Sequence, residues 1–273
     1  MFIMKQLIIF IIILLLSGCN RHPYHVTNQQ YKKQVKSLSK TIRQYPLHAV
    51  QSDSIEHPEY FVGTTNLGLR KPNFVILHHT AQNSCQQTLR TFTLPRTQVS
   101  AHYLICKQGT VYQMLNDYLR AWHAGAGRWG NVTDINSSSI GIELDNIGTE
   151  RFPAAQVASL MKLLDTLKKR HSIPPANFIG HADIAPTRKD DPNVYFPWKQ
   201  LAENGFGLWY NDTTGVLVPE AFNYLQALRI VGYDIKDTSA AIIAFKRHFV
   251  EDTIPIFRDQ DKKILYSIYK KYE

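Results

Sequence analysis

Two segments of this chain carry the residue types of a hydrolytic metal site: Leu77-His78-His79-Thr80-Ala81, and Gly180-His181-Ala182-Asp183 continuing to Lys189-Asp190-Asp191-Pro192. Two imidazoles and one carboxylate make three suitable zinc ligands, one short of a closed tetrahedron. An open fourth position for water separates hydrolytic zinc from structural zinc. Successive side chains on a strand point to opposite faces, so His78 and His79 cannot both face one ion. His78, at the end of the apolar run Phe74-Val75-Ile76-Leu77, is the preferred ligand. In the second segment His181 is joined by Asp190 or Asp191, and carboxylate chemistry alone leaves that pair open. Asp183 suits a cap or brace of the loop, and Arg188 suits a partner for one of its carboxylates. Trp122-His123-Ala124-Gly125, followed by Gly127, Trp129 and Gly130, forms an aromatic, glycine-rich stretch of the kind that lines a sugar and peptide groove. Trp122, His123 and His102 are therefore candidate substrate-binding residues. His123 is also a candidate support for a ligand, and His102 for a structural role.

The elements that must position these groups can be read from the apolar periodicity. Residues 73–78 form a branched, buried-type strand that ends on the first histidine. Ser84 caps a helix running to Thr93, ahead of Pro95. Residues 102–107 and 110–115 flank a Gln-Gly turn and read as a hairpin. Ser139 to Leu144 is a further strand, and Pro153 opens a long helix with Val157, Leu160, Met161, Leu164 and Leu167 on one face. A last strand over 177–181 ends on the second histidine. The expectation is an α/β domain over 70–205, a mixed central β-sheet flanked by helices with both histidine segments at strand ends. From 215 to 273 the pattern changes to three short helices, over 219–229, 238–249 and 259–272, expected as a separate small module.

The start of the chain addresses it to the cell envelope. Lys5 is the single charge in residues 1–18, and Leu7 to Leu16 is unbroken and apolar, too short to span a bilayer comfortably but suited to an export signal. The run ends in Leu16-Ser17-Gly18-Cys19, which resembles a bacterial lipoprotein lipobox, with Cys19 the lipidated residue and Asn20 favouring the outer membrane. Residues 19–69 are then a tether and N-terminal arm. Acylation of Cys19 supplies stable anchoring. The sequence leaves open whether Cys85 and Cys106 pair or remain buried thiols. A formal net charge of +9 calls for a polyanionic partner. For an exported chain that partner is the wall or lipid phosphate, not nucleic acid.

Together these residues resemble the zinc-dependent N-acetylmuramoyl-L-alanine amidase family, which shares its fold with peptidoglycan-recognition proteins and phage amidase endolysins. The resemblance covers 70–200. It rests on Val75 to Thr80, Ser100-Ala101-His102-Tyr103, Trp122 to Gly125, Ser139 to Leu144, and His181 to Pro192, in that order. The overall order is most similar to the lipoprotein amidases of the Gram-negative outer membrane. The resemblance implies one Zn2+ per chain on His78, His181 and Asp191, an acid/base carboxylate at Glu143, and a cation near the oxyanion at Lys189. It further implies a monomer that cleaves the amide between N-acetylmuramic acid, intact or 1,6-anhydro, and L-alanine of the peptidoglycan stem peptide. The 215–273 helices resemble a three-helix peptidoglycan-binding module. Two departures stand out. Asp191-Pro192-Asn193 replaces a common Asp-Pro-Gly, with Asn193 expected to tolerate positive φ. Ala101 stands where some branches carry tyrosine, which leaves proton transfer to Glu143. A binding module that holds peptidoglycan without cutting it is the alternative function, and a zinc peptidase acting within the stem is a third.

Overall fold

The computed structural model describes residues 23–43 and 64–272; the expected export signal, Cys19 and residues 44–63 of the expected arm lie outside the described residues. Within the arm, the chain forms a helix, α1 (His25–Ile42), where the sequence suggested irregular tether. Its Gln- and Lys-rich run favours helix, Gln29 meets His25 one turn earlier at 3.0 Å, and none of its side chains is buried. Among the described residues no helix is long and apolar enough to cross a membrane.

From Gly68 onward the chain forms one compact unit. Five strands, β1 (Phe74–His79), β2 (Tyr103–Ile105), β3 (Val111–Gln113), β4 (Ser139–Leu144) and β5 (Phe178–Gly180), stand in the order β3-β2-β4-β1-β5. β1 is parallel to β4 and β5, β2 is parallel to β4, and β3 closes the edge as the antiparallel hairpin partner of β2. The helices that follow in chain order are α2 (Cys85–Thr93), α3 (Ile135–Ser138), α4 (Ala154–His171), α5 (His181–Ile184), α6 (Trp198–Glu203), α7 (Tyr224–Val231), α8 (Thr238–Phe249) and α9 (Asp259–Tyr269). The mixed sheet flanked by helices is the expected α/β architecture. His181, however, opens a short helix instead of ending a strand.

Alternation along β1 divides the interior in two. Val75 and Leu77 join Ile140, Ile142 and Leu144 on one face, beneath Val157, Leu160, Leu164 and Leu167 of α4. Phe74 and Ile76 point to the other face, where Ile179, Leu228, Phe245 and Leu265 complete the core. Each such side chain contributes about 1.5–3 kcal/mol by leaving water. The last three helices therefore share a core with the sheet, where a separate module over 215–273 was expected. The reason is coverage: α4 shields one sheet face, and the apolar residues of the opposite face need a second layer. Asn223 and Asp237 accept the Gln226 and Ala240 amides at 3.0 Å, capping α7 and α8, so α7 begins after Pro219 and not at it. Lys246 of α8 is wholly buried; its ammonium donates to the Ile254 and Ile256 carbonyls and pairs with Asp252 at 2.6 Å, pinning the segment ahead of α9.

Cys85, the first residue of α2, is disulfide-bonded to Cys106, just after β2, with their Cα atoms 5.4 Å apart. The link ties the helix after β1 to the neighbouring hairpin across a separation of 21 residues. A loop of that length stabilises the folded chain by about 3 kcal/mol through the unfolded state. Replacing both cysteines with serine is expected to lower the melting temperature by roughly 6–12 °C, and calorimetry of the oxidised and double-mutant chains measures it.

Candidate active site

Parallel pairing sets His78 directly beside Glu143, so both side chains leave the same sheet face at the carboxyl ends of β1 and β4. This face is the one covered by the last three helices. His181 follows β5, the other neighbour of β1, and Asp191 returns at the end of the loop behind it. His78, His181 and Asp191 are all buried, and their ligand atoms lie within 4.8 Å of one another. His78 Nδ1 is 3.0 Å from His181 Nδ1 and 2.9 Å from Asp191 Oδ2, which is itself 3.0 Å from His181 Nδ1. Asp190, the other candidate carboxylate, is exposed. His79 faces away from this cluster, with its Nδ1 buried and unpaired.

The surrounding hydrogen bonds fix which nitrogens carry protons. His181 Nε2 lies 3.1 Å from the Ala124 carbonyl, which can only accept, so Nε2 holds the hydrogen and Nδ1 presents a lone pair. His78 is fixed through a longer chain. The Ser139 hydroxyl donates to the Ile135 carbonyl at 2.6 Å, so its oxygen accepts from His123 Nε2 at 3.2 Å. His123 Nδ1 is then bare and accepts from His78 Nε2 at 3.0 Å, leaving His78 Nδ1 unprotonated. Two imidazole lone pairs and a carboxylate oxygen thus converge with no hydrogen between them. Such a set is repulsive alone and suits a divalent cation, with N and O donors appropriate to zinc.

The electrostatics agree. Burial, reinforced by the neighbouring His181, pushes His78 down to about 4 and keeps the ring neutral near pH 7. Glu143 is 8% exposed, and one of its oxygens is buried without a partner. Burial and then the charge of Asp191 push it up to about 8, with Lys189 pulling the other way. A carboxylate shifted and unpaired beside a ligand cluster has the character of a proton-transfer group.

Of the three residues expected to touch substrate, Trp122 alone presents an open ring, 52% exposed with the Arg120 guanidinium 4.4 Å above it. His123 is spent on His78 and Ser139, so it orients the His78 ring. His102 is completely buried; its Nδ1 accepts the Gly141 amide and its Nε2 donates to the Leu119 carbonyl, each at 3.0 Å, which makes it structural. Arg188 donates to the Ala124 and Ala126 carbonyls and not to a loop carboxylate. Asn193 is not among the described residues with positive φ. Its amide instead donates to Asn146 Oδ1 and the Glu150 carbonyl, tying the turn to the loop after β4. Ser139 and the Ala124 carbonyl escaped the sequence reading, because neither a strand-leading serine nor a main-chain oxygen carries a local signal. Gly141 is the one trace of this relay in the sequence: a Cβ there would stand 2.4 Å from the His123 ring.

Comparison with known proteins extends this geometry. Residues 68–194 match the N-acetylmuramoyl-L-alanine amidase family, Amidase_2. The chain is 34% identical over 206 residues to the N-acetylmuramoyl-L-alanine amidase AmiD of Escherichia coli, across 64% of this chain and 74% of that one. It is 39% identical over 104 residues to the 1,6-anhydro-N-acetylmuramyl-L-alanine amidase AmpD of Haemophilus influenzae, across 38% and 56%. Among solved structures, AmiD of E. coli in complex with the substrate anhydro-N-acetylmuramic acid-L-Ala-D-gamma-Glu-L-Lys aligns with a TM-score of 0.68 at 29% identity, covering 80% of this chain and 97% of that one. AmpDh3 of Pseudomonas aeruginosa aligns at 0.69 and 29%, covering 80% and 98%. Since the likeness to AmiD runs through 74% of that protein's length, this chain belongs to the N-acetylmuramoyl-L-alanine amidase family.

Proposed function

We propose that the chain is a zinc amidase that cuts the bond between N-acetylmuramic acid, intact or 1,6-anhydro, and the L-alanine of the peptidoglycan stem peptide. The observation that carries this reading is the convergence of two buried imidazoles and a buried carboxylate beside Glu143, one of whose oxygens is buried without a partner. Relatives support the substrate: the AmiD complex holds an anhydromuramyl tripeptide, and an AmpDh3 complex holds an anhydromuramic pentapeptide. His78, His181 and Asp191 would hold the metal. Zinc would supply Lewis acidity there, lowering the pKa of water and polarising the scissile carbonyl.

The remaining steps belong to the chain's own groups. Glu143 takes the proton of the attacking water and passes it to the departing alanine nitrogen. A cation among the ligands, like Lys189, favours the ionised form of Glu143 that this role requires. Lys189, two residues ahead of Asp191 in the same loop, offsets the charge developing on the carbonyl oxygen. Trp122 offers an aromatic face to sugar or peptide. The physiological role is wall turnover or recycling. Lipidation at Cys19 and an outer-membrane, periplasm-facing position put the enzyme beside its polymer, and the disulfide suits an oxidising compartment.

Digestion of purified sacculi with the chain, with and without a chelator, tests the reading. Mass spectrometry is expected to find free stem peptides beginning at L-alanine over intact glycan, lost with chelator and restored by zinc; uncut sacculi despite bound metal would identify a binding protein instead. Glu143→Gln is expected to keep its metal content and lose about 10²- to 10⁴-fold in kcat. Near-normal turnover by that variant with zinc bound would remove Glu143 from the chemistry.

A further inference from the structure

Asp183 lies two residues beyond the ligand His181 in the one-turn helix α5, and it is 2% exposed. A buried carboxylate needs its oxygens filled by donors. Three arrive from separate parts of the chain. The Gly180 amide donates to Oδ2 at 2.7 Å, closing the turn that carries His181. The Tyr233 hydroxyl, just after α7, donates to Oδ1 at 2.8 Å. His248 Nδ1, on α8, donates to Oδ2 at 2.8 Å. Both distant partners are themselves immobilised. Tyr233 is 2% exposed and packs edge-on to Trp129 at 5.0 Å. The His248 ring stacks on Trp198 at 3.8 Å, with 13° between planes.

We infer that Tyr233 and His248 are positioning residues for the metal site, acting through Asp183 on His181. The inference rests on the metal reading above and gives the C-terminal helices a part in it. Without the two donors, the Asp183 carboxylate is free to rotate or to draw in water, and the Gly180 turn loses the acceptor that holds it. His181 Nδ1 then no longer points reliably at His78 and Asp191. The C-terminal helices are, on this account, a structural component of the amidase centre, coupled to it by two hydrogen bonds. Their chemistry differs from the Ala124 contact: that carbonyl sets the His181 tautomer, whereas Asp183 sets the backbone from which the ring extends.

The test uses the full chain and cobalt(II) as a spectroscopic probe, with affinity measured by chelator competition and folding by melting of the metal-free protein. Tyr233→Phe removes one oxygen and keeps the ring. It is expected to remain folded, to bind cobalt about tenfold more weakly, within the range for outer partners of metal ligands, and to shift the visible cobalt bands. His248→Phe keeps an aromatic ring over Trp198 but loses the donor, and is expected to behave alike. His248→Asn supplies an amide N–H near the position of Nδ1 and is expected to recover affinity and spectrum. Cobalt affinity and bands equal to wild type in both phenylalanine variants would overturn the inference, even if melting temperatures fell, because the contacts would then be packing alone. A wild-type chain that takes up no cobalt would overturn the metal reading and this inference with it.

Discussion

Three unprotonated donors held 2.9–3.0 Å apart inside a protein repel one another, and the architecture of this unit answers that constraint. Each imidazole must have its far nitrogen occupied by an acceptor, or a proton will move to the near one. Ala124 serves His181 directly, and Ser139 serves His78 through His123. The acceptors come from the loop before α3 and the first residue of β4, and so require the parallel sheet to be in register. The sheet in turn requires both faces covered. A local demand about protons thus extends to the whole fold.

The strands and long helices were legible because each carries its pattern within a few residues. The run ahead of His78, the SIGIEL strand, the α4 face and the Ser84 cap all express themselves locally, and the structure places them within a residue or two of expectation. The preference for His78 over His79 followed from alternation alone. What could not be read is whatever depends on a meeting of distant segments. His102 and His123 look alike in sequence, each a histidine beside small residues. Only the fold separates one ring filled by backbone from another that abuts His78. The last three helices have spacing that fits a free-standing bundle as well as a layer on a sheet, since periodicity names the apolar face but not what covers it. Cys85 and Cys106 were equally undecided, because a disulfide depends on Cα separation and not on composition.

Glu143 illustrates a different economy. A buried carboxylate oxygen without a partner is costly, and folding alone would not retain it. Its neighbours on β4 are apolar and fully packed, so the strand's stability is supplied by Ile140, Ile142 and Leu144. Along β4 the buried polar atom without a partner is at Glu143, where the proposed chemistry would use it.

Gly141 carries a last consequence. Glycine within a strand ordinarily weakens it, and β-branched residues are the usual improvement. Here the missing side chain is space already taken by the His123 ring. Thermal robustness and metal geometry therefore make opposite demands on a single residue. A library of variants ranked by heat tolerance would be drawn toward filling that gap in the sheet, and would select firmer proteins whose histidine relay had been displaced. Screening for endurance and screening for metal uptake would lead away from each other at this position.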